Sequence, residues 1–220
     1  MCFSASASFG AGVVLAAVGI IAIKKTTSAS QLAFAFIPFV FCFQQISEGF
    51  LWLALTNSDY APLKKISTGI FLFFAQVAWP LLLPFAILKM DKKYRRKKIQ
   101  IIWVVLGIIL SITLAYCLFT YPVEPTITGL HISYNKIYPD AINRYCGFGY
   151  IIATVTPAFF SGTKKMWTLG MAILISYIIT AFLYEDYIVS VWCFFASFIS
   201  ILVAYILYKN KNPLKVIKEG

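Results

Sequence analysis

The sequence predicts an all-α polytopic membrane protein: seven transmembrane helices, N-terminus outside, C-terminus cytoplasmic. Three observations predict it. Hydrophobic residues make up 60% of the 220-residue chain and charged residues only 12%, about half the ~25% of soluble domains. Seven apolar runs approach or exceed the ~20 residues that cross a bilayer. Basic residues concentrate in alternate loops, as they do on the cytoplasmic side of membrane proteins.

So little charge cannot cover a soluble fold, which excludes a soluble enzyme, a disordered protein and a disulfide-stapled miniprotein. The net charge is +11, from nineteen Lys and Arg against eight Asp and Glu. In a soluble chain that excess would point to nucleic acid. No helix-turn-helix, zinc-finger spacing or aromatic-basic stripe accompanies it here, so the expected partner is the lipid bilayer and not nucleic acid.

The runs fall at 6–23, 32–55, 66–88, 99–120, 146–162, 166–183 and 187–208, within a single domain over 1–208. Helix is the open-ended structure that satisfies its own backbone in lipid. Pro38, Pro80, Pro84 and Pro157 lie inside runs, where packed helices tolerate them as kinks. The first run reads as a retained helix, since no basic n-region precedes it. Ser4, Ser8, Gly12 and Ala16 repeat at spacing four on it; such a stripe lets another helix approach closely, within the chain before between copies. The loop 121–145 is an outer lid: Ile127, Leu130, Ile132 and Tyr134 predict a short extended segment among Pro122, Pro125 and Pro139. Pro157 has no counterpart in the first run, so no three-plus-one-plus-three internal repeat is read. A basic tail, 209–220, ends the chain.

Direction comes from the loops. Lys24 and Lys25, the seven basic residues of 89–98, Lys164 and Lys165, and Lys209, Lys211, Lys215 and Lys218 give fifteen on one side. Lys64, Lys65, Lys136 and Arg144 give four on the other. The fifteen mark the cytoplasm.

Polar side chains are unevenly distributed in depth. Gln44, Glu48 and Trp52, spaced i, i+4 and i+8, share a face, with Gln45 and Gly49 beside them. At 1.5 Å per residue Glu48 sits ~12 Å below the outer boundary and Gln76 ~15 Å. Thr113, Tyr116, Tyr150, Thr154, Thr156, Ser176, Tyr177, Thr180, Ser190, Cys193 and Ser197 also fall in the outer half, whereas 13–23, 32–41, 80–88, 101–110 and 201–207 are almost purely aliphatic and aromatic. That pattern predicts a cup open to the outside and plugged toward the cytoplasm. Gln44, Gln45, Trp52, Gln76, Tyr150 and Tyr177 are the ligand-binding candidates, and Gln76 is the expected partner of Glu48.

Glu48 is the one acid within a run. A charge there costs ~2.5–3.5 kcal/mol on insertion scales, so it marks a functional site by default; the plainer alternative is a protonated side chain bonded to Gln44, Gln45 or a neighbouring helix. His131, the single histidine, lies in the lid, where it is a surface residue or an acid, base or ligand over the cup. Glu48 and His131 are the catalytic candidates. Cys2, Glu48 and His131 are the candidate metal set, one His being too few for the usual catalytic zinc site unless Cys and Glu complete it. Cys42 and Cys117 read as apolar fillers and Cys193 is ambiguous. Cys2 and Cys146 share the outer rim, where an oxidising compartment permits a bridge, but topology does not set their distance, and five cysteines preclude a full set of disulfides. The last run has no Lys for retinal.

The opening Met1-Cys2-Phe3-Ser4 and the stretch Gln44-Gln45-Ile46-Ser47-Glu48-Gly49-Phe50-Leu51-Trp52 resemble a bacterial seven-span family of unknown function that shares the Met-Cys-Phe-Ser start and a Gln-Gln-x-x-Glu-Gly-x-x-Trp motif. The resemblance implies a multi-pass protein of the bacterial inner (plasma) membrane and draws attention to the motif residues. The topology is also similar to alkaline ceramidases and adiponectin receptors, whose histidine-rich zinc motif is absent here. The expected function is an outward-opening polar pocket centred on Glu48 that binds or acts on a small molecule, lipid or metal ion. The alternatives are a transporter or channel with Glu48 as its coupling carboxylate, and a structural or accessory subunit with Glu48 as interhelical glue.

Overall fold

The computed structural model describes residues 4–183 and 195–210. These form seven helical stretches and one hairpin. Helix α1 is Ala5–Lys24. The second stretch begins with a 3-10 turn, Ala29–Gln31, and continues as α2 (Leu32–Ala35) and α3 (Ile37–Thr56). It breaks at Phe36 because Pro38 has no N–H to return to the preceding turn. The third stretch is composite: a 3-10 turn (Ser58–Leu63), α4 (Lys64–Leu72), a π-helical turn (Phe73–Ala78) and α5 (Trp79–Met90). Then come α6 (Tyr94–Thr120), β1 (Val123–Thr128), β2 (His131–Lys136), α7 (Asp140–Phe160), α8 (Met166–Leu183) and α9 (Ala196–Lys209). Cys2, Ser190, Cys193, the first part of the expected seventh span and the tail beyond 210 lie outside the described residues.

Four stretches are long and apolar enough to cross a membrane: Ala5–Lys24, Ala29–Thr56, Ser58–Met90 and Tyr94–Thr120. Met166–Phe182 and Ser197–Lys209 are shorter apolar helices, and α7 opens on polar Asp140, Asn143 and Arg144. On length and composition, then, four of the seven expected spans are matched by candidate membrane-crossing helices among the described residues. The outward faces are greasy: Val13 is 72% exposed, Ile112 66% and Phe182 84%. Water-soluble monomers rarely expose such surface; lipid suits it, and these apolar helices give the chain the profile of a membrane protein.

Close helix approach relies on glycine. Gly12 meets Ile46 and Gly19 meets Phe39, seating α1 on α3. The tightest approach is Gly107 of α6 on the carbonyl of Pro80, where a Cβ would land. That carbonyl lacks its helical donor because residue 84 is also proline. At the end of α5, Asp91 accepts from Ser161 Oγ at 2.9 Å and from the Gly162 N–H at 2.8 Å. Arg96 Nη1 donates to the Phe160 carbonyl and Gln100 Nε2 to that of Pro157. The α5–α6 turn thereby holds the α7–α8 turn.

The lid is an antiparallel hairpin, paired from Val123↔Lys136 to Thr128↔His131. Gly129 opens its two-residue turn at φ +62, the position where a type II′ turn takes glycine. Ile132 and Tyr134 pack one face of β2 onto Leu51 and Trp52 of α3 and Phe71 and Leu72 of α4. The Tyr134 and Phe71 rings stack with centroids 5.0 Å apart.

Gly107→Ala is expected to destabilise the protein by ~1–3 kcal/mol, the usual cost of overpacking, because the obstacle is backbone. Gly147→Ala, where a Cβ meets nothing within 4 Å, is the control. Detergent-solubilised melting curves compare the two.

Candidate functional site

The third stretch organises the interior. Its π turn and Pro80 interrupt the regular helical ladder, and neighbouring helices donate hydroxyls to carbonyls there. Tyr150 of α7 donates to the Ala75 carbonyl at 2.7 Å. Ser111 of α6 donates to that of Val77 at 2.6 Å. The turn directs Gln76 and Trp79 toward α3 and the hairpin. Trp79 Nε1 donates to Gln44 Oε1 at 3.0 Å, and Tyr138 OH donates to Gln76 Oε1 at 3.2 Å.

Around these bonds lies a cavity of about 220 Å³. Its wall follows α7 from Asn143 to Thr154, ~16 Å at 1.5 Å per residue. Lys136, Tyr138 and Asn143 line the hairpin end. Gln44, Gln76, Tyr150 and Tyr177 form the middle, and Ile37, Phe41, Leu83, Ile173 and Ile199 the far end. Beyond that end is a buried apolar cluster that includes Phe34, Ile87, Leu169, Val203 and Ile206.

The cavity brings together four sequence-predicted ligand residues, Gln44, Gln76, Tyr150 and Tyr177. The rest of the Gln-Gln-x-x-Glu-Gly-x-x-Trp motif faces other neighbours. Gln45 Nε2 donates to Glu48 Oε2 at 3.4 Å, and both side chains are buried. Gly49 makes room for the ring of Phe9, 2.8 Å from where a Cβ would be. Trp52 belongs to the cluster beneath the hairpin. Glu48, one turn from Gln44, is fully buried but off the cavity wall. Gln76, its expected partner, instead accepts from Tyr138. Tyr116 is 61% exposed on the far side of α6.

His131 stands at the start of β2, opposite Thr128 and off the wall, and burial pushes its imidazole below 6.5. Cys146 is a buried free thiol on the wall; Cys2 lies outside the described residues, so its pairing and its place in a metal set are not on view. Among the described residues no three His, Cys, Asp or Glu side chains gather to hold a metal ion.

Sequence reasoning missed Lys136, Tyr138 and Asn143. The signal was the period-two stripe Ile132, Tyr134, Lys136, Tyr138, one face of an extended segment. Burial pushes the Lys136 ammonium below 10.5. Burial, with a smaller push from the Cys117 thiol, raises the Tyr138 phenol to about 12.

A helical membrane protein with a largely apolar cavity, carrying a few polar side chains, under a β-hairpin is the class these features define. The chain belongs to a family of unknown function (DUF6629), which it matches over residues 1–217. No curated protein and no solved structure matches it.

The Tyr138–Gln76 bond predicts an alkaline response. Unfolded, the phenol ionises near 10; folded, near 12. Its contribution to stability is therefore complete below pH 10 and declines as pH rises toward 12. Tyr138→Phe should cost about 1 kcal/mol at neutral pH and flatten the melting-temperature profile between pH 10 and 12 relative to the parent protein.

Proposed function

We propose that this protein is a seven-span, N-out component of the bacterial inner membrane whose cavity opens outward and binds a small molecule or lipid. The observation that supports the reading is polarity along the cavity: side chains that hydrogen-bond at the hairpin end and middle, aliphatic ones at the far end, and an apolar cluster beyond. A site that orients a ligand needs a few placed polar groups in a largely apolar wall. A transporter or channel needs polar lining through to the second leaflet, which the apolar cluster does not offer. On this reading Glu48 is an ionisable group one turn from the wall, with Gln45 bonded to it, and His131 acts from the lid.

A variant retaining Cys146 as its single thiol tests the opening. A membrane-impermeant thiol reagent added outside should modify Cys146. Cysteines placed singly in 123–140 should react as well, and cysteines in 92–98 should not. Reaction confined to 92–98 reverses the orientation; an inert Cys146 beside a reactive lid means the cavity is sealed.

Complete burial of Glu48 beside Gln45 favours a second reading, interhelical glue. Glu48→Gln separates the two. A neutral amide is cheaper to bury, so the variant should melt no lower than the parent under either reading. On the pocket reading a membrane lipid extract added beforehand should slow modification of Cys146; the variant keeps that protection if Glu48 is glue and loses it if Glu48 belongs to a working pocket.

A further inference from the structure

The reading of the cavity as a ligand site leaves the ligand's chemistry open, and the wall narrows it. The hairpin end holds one cation, Lys136. Among the described residues no carboxylate lies within ion-pair distance of it. Glu124, opposite Asn135 and one position from Lys136's own cross-strand partner Val123, is bonded to Lys64 at 3.0 Å instead. Lys136 Nζ stands 5.9 Å from the centroid of the Tyr138 ring, at the ~6 Å outer limit of cation–π attraction. With no anion beside it among the described residues, this half-buried ammonium carries a desolvation cost that an anionic ligand would relieve through a charge-assisted hydrogen bond. Asn143 and Tyr138 line the same cavity and add polar groups to its wall. Below them the wall turns aliphatic and aromatic, ending at Ile37, Phe41 and Leu83.

We infer that the cavity takes a single-chain amphiphile with an anionic head, the carboxylate or phosphate at Lys136 and Asn143 and the alkyl chain along Phe41, Leu83 and Ile173. The inference rests on the proposed pocket and adds the sign of the head and the direction of the tail. A chain of about twelve carbons suits the ~16 Å wall. Two sources share this chemistry, free fatty acids and singly acylated phosphates.

Three photoactivatable probes, each with a diazirine on a twelve-carbon chain, test it: a carboxylate, a monophosphate and an uncharged alcohol. The full-length protein in uncharged-lipid nanodiscs is photolabelled and the modified peptides are mapped. The anionic probes should modify α3, α5 and α8 peptides at concentrations about tenfold lower than the alcohol, the value of one good charged contact. Lys136→Met should erase that gap and Lys136→Arg should keep it. Lys65→Met, which removes the same charge from the neighbouring surface, should also keep it. Lys136→Met should melt no lower than the parent, so a lost gap is not a lost fold. Whichever anion labels at the lower concentration identifies the source. Equal labelling by the alcohol, or a gap that survives Lys136→Met, overturns the anionic assignment and leaves the pocket standing. Absence of wall labelling by all three probes overturns the pocket as well.

Discussion

A buried carbonyl without a donor costs about as much as a broken hydrogen bond, and the third helical stretch interrupts the ladder that supplies such donors. Its π turn shifts the register, and Pro80 and Pro84 remove two N–H groups within five residues. The surrounding helices answer this interruption. Tyr150 and Ser111 donate to the Ala75 and Val77 carbonyls, and Gly107 lets the α6 backbone lie on that of Pro80. These contacts draw α6 and α7 onto the stretch on one side. On the other, Gln44 accepts from Trp79. The cavity is the space left where the irregular turn keeps α3 and α7 from closing completely, and the same turn aims Gln76 at the hairpin.

The hairpin's position follows from the same arrangement. Its inner face carries Ile132 and Tyr134 onto α3 and α4, then Lys136 and Tyr138 onto the cavity. Aromatic stacking on Phe71 and the bond to Gln76 hold the two halves of that face. A lid fastened this way has two polar features at the cavity, one neutral and hydrogen-bonded, the other charged and half-buried. The neutral one helps to fix this segment against the third helical stretch. The charged one is at odds with stability, and residues of that kind commonly belong to function.

The nine-residue motif on α3 separates into distinct physical roles. Gln44 belongs to the cavity, Gln45 and Glu48 to a buried polar pair, Gly49 to the approach of Phe9, and Trp52 to the support of the hairpin. A single helix meets different neighbours at each turn, so proximity in sequence does not place these residues in one site.

Composition and loop charge were enough to read an α-helical membrane protein, because a bilayer restricts backbone structure severely and tolerates little charge in its interior. That Gln44, Gln76, Tyr150 and Tyr177 belong to neighbouring levels of the bundle was legible because residue number along a helix is a ruler, and the four share one cavity wall. Burial of Glu48 followed from its cost in lipid. Depth along the axis does not specify rotation about it, however, and rotation decides what a side chain meets. Tertiary packing put Tyr116 on the outside, paired Gln76 with Tyr138 and turned Glu48 away from the cavity wall. It also bent the third stretch into a π turn, a choice that depends on which hydroxyls stand close enough to bond its carbonyls. Those hydroxyls come from Ser111 and Tyr150, more than thirty residues away along the chain, which is why only the folded arrangement could decide where the cavity lies and why Lys136 sits at its end.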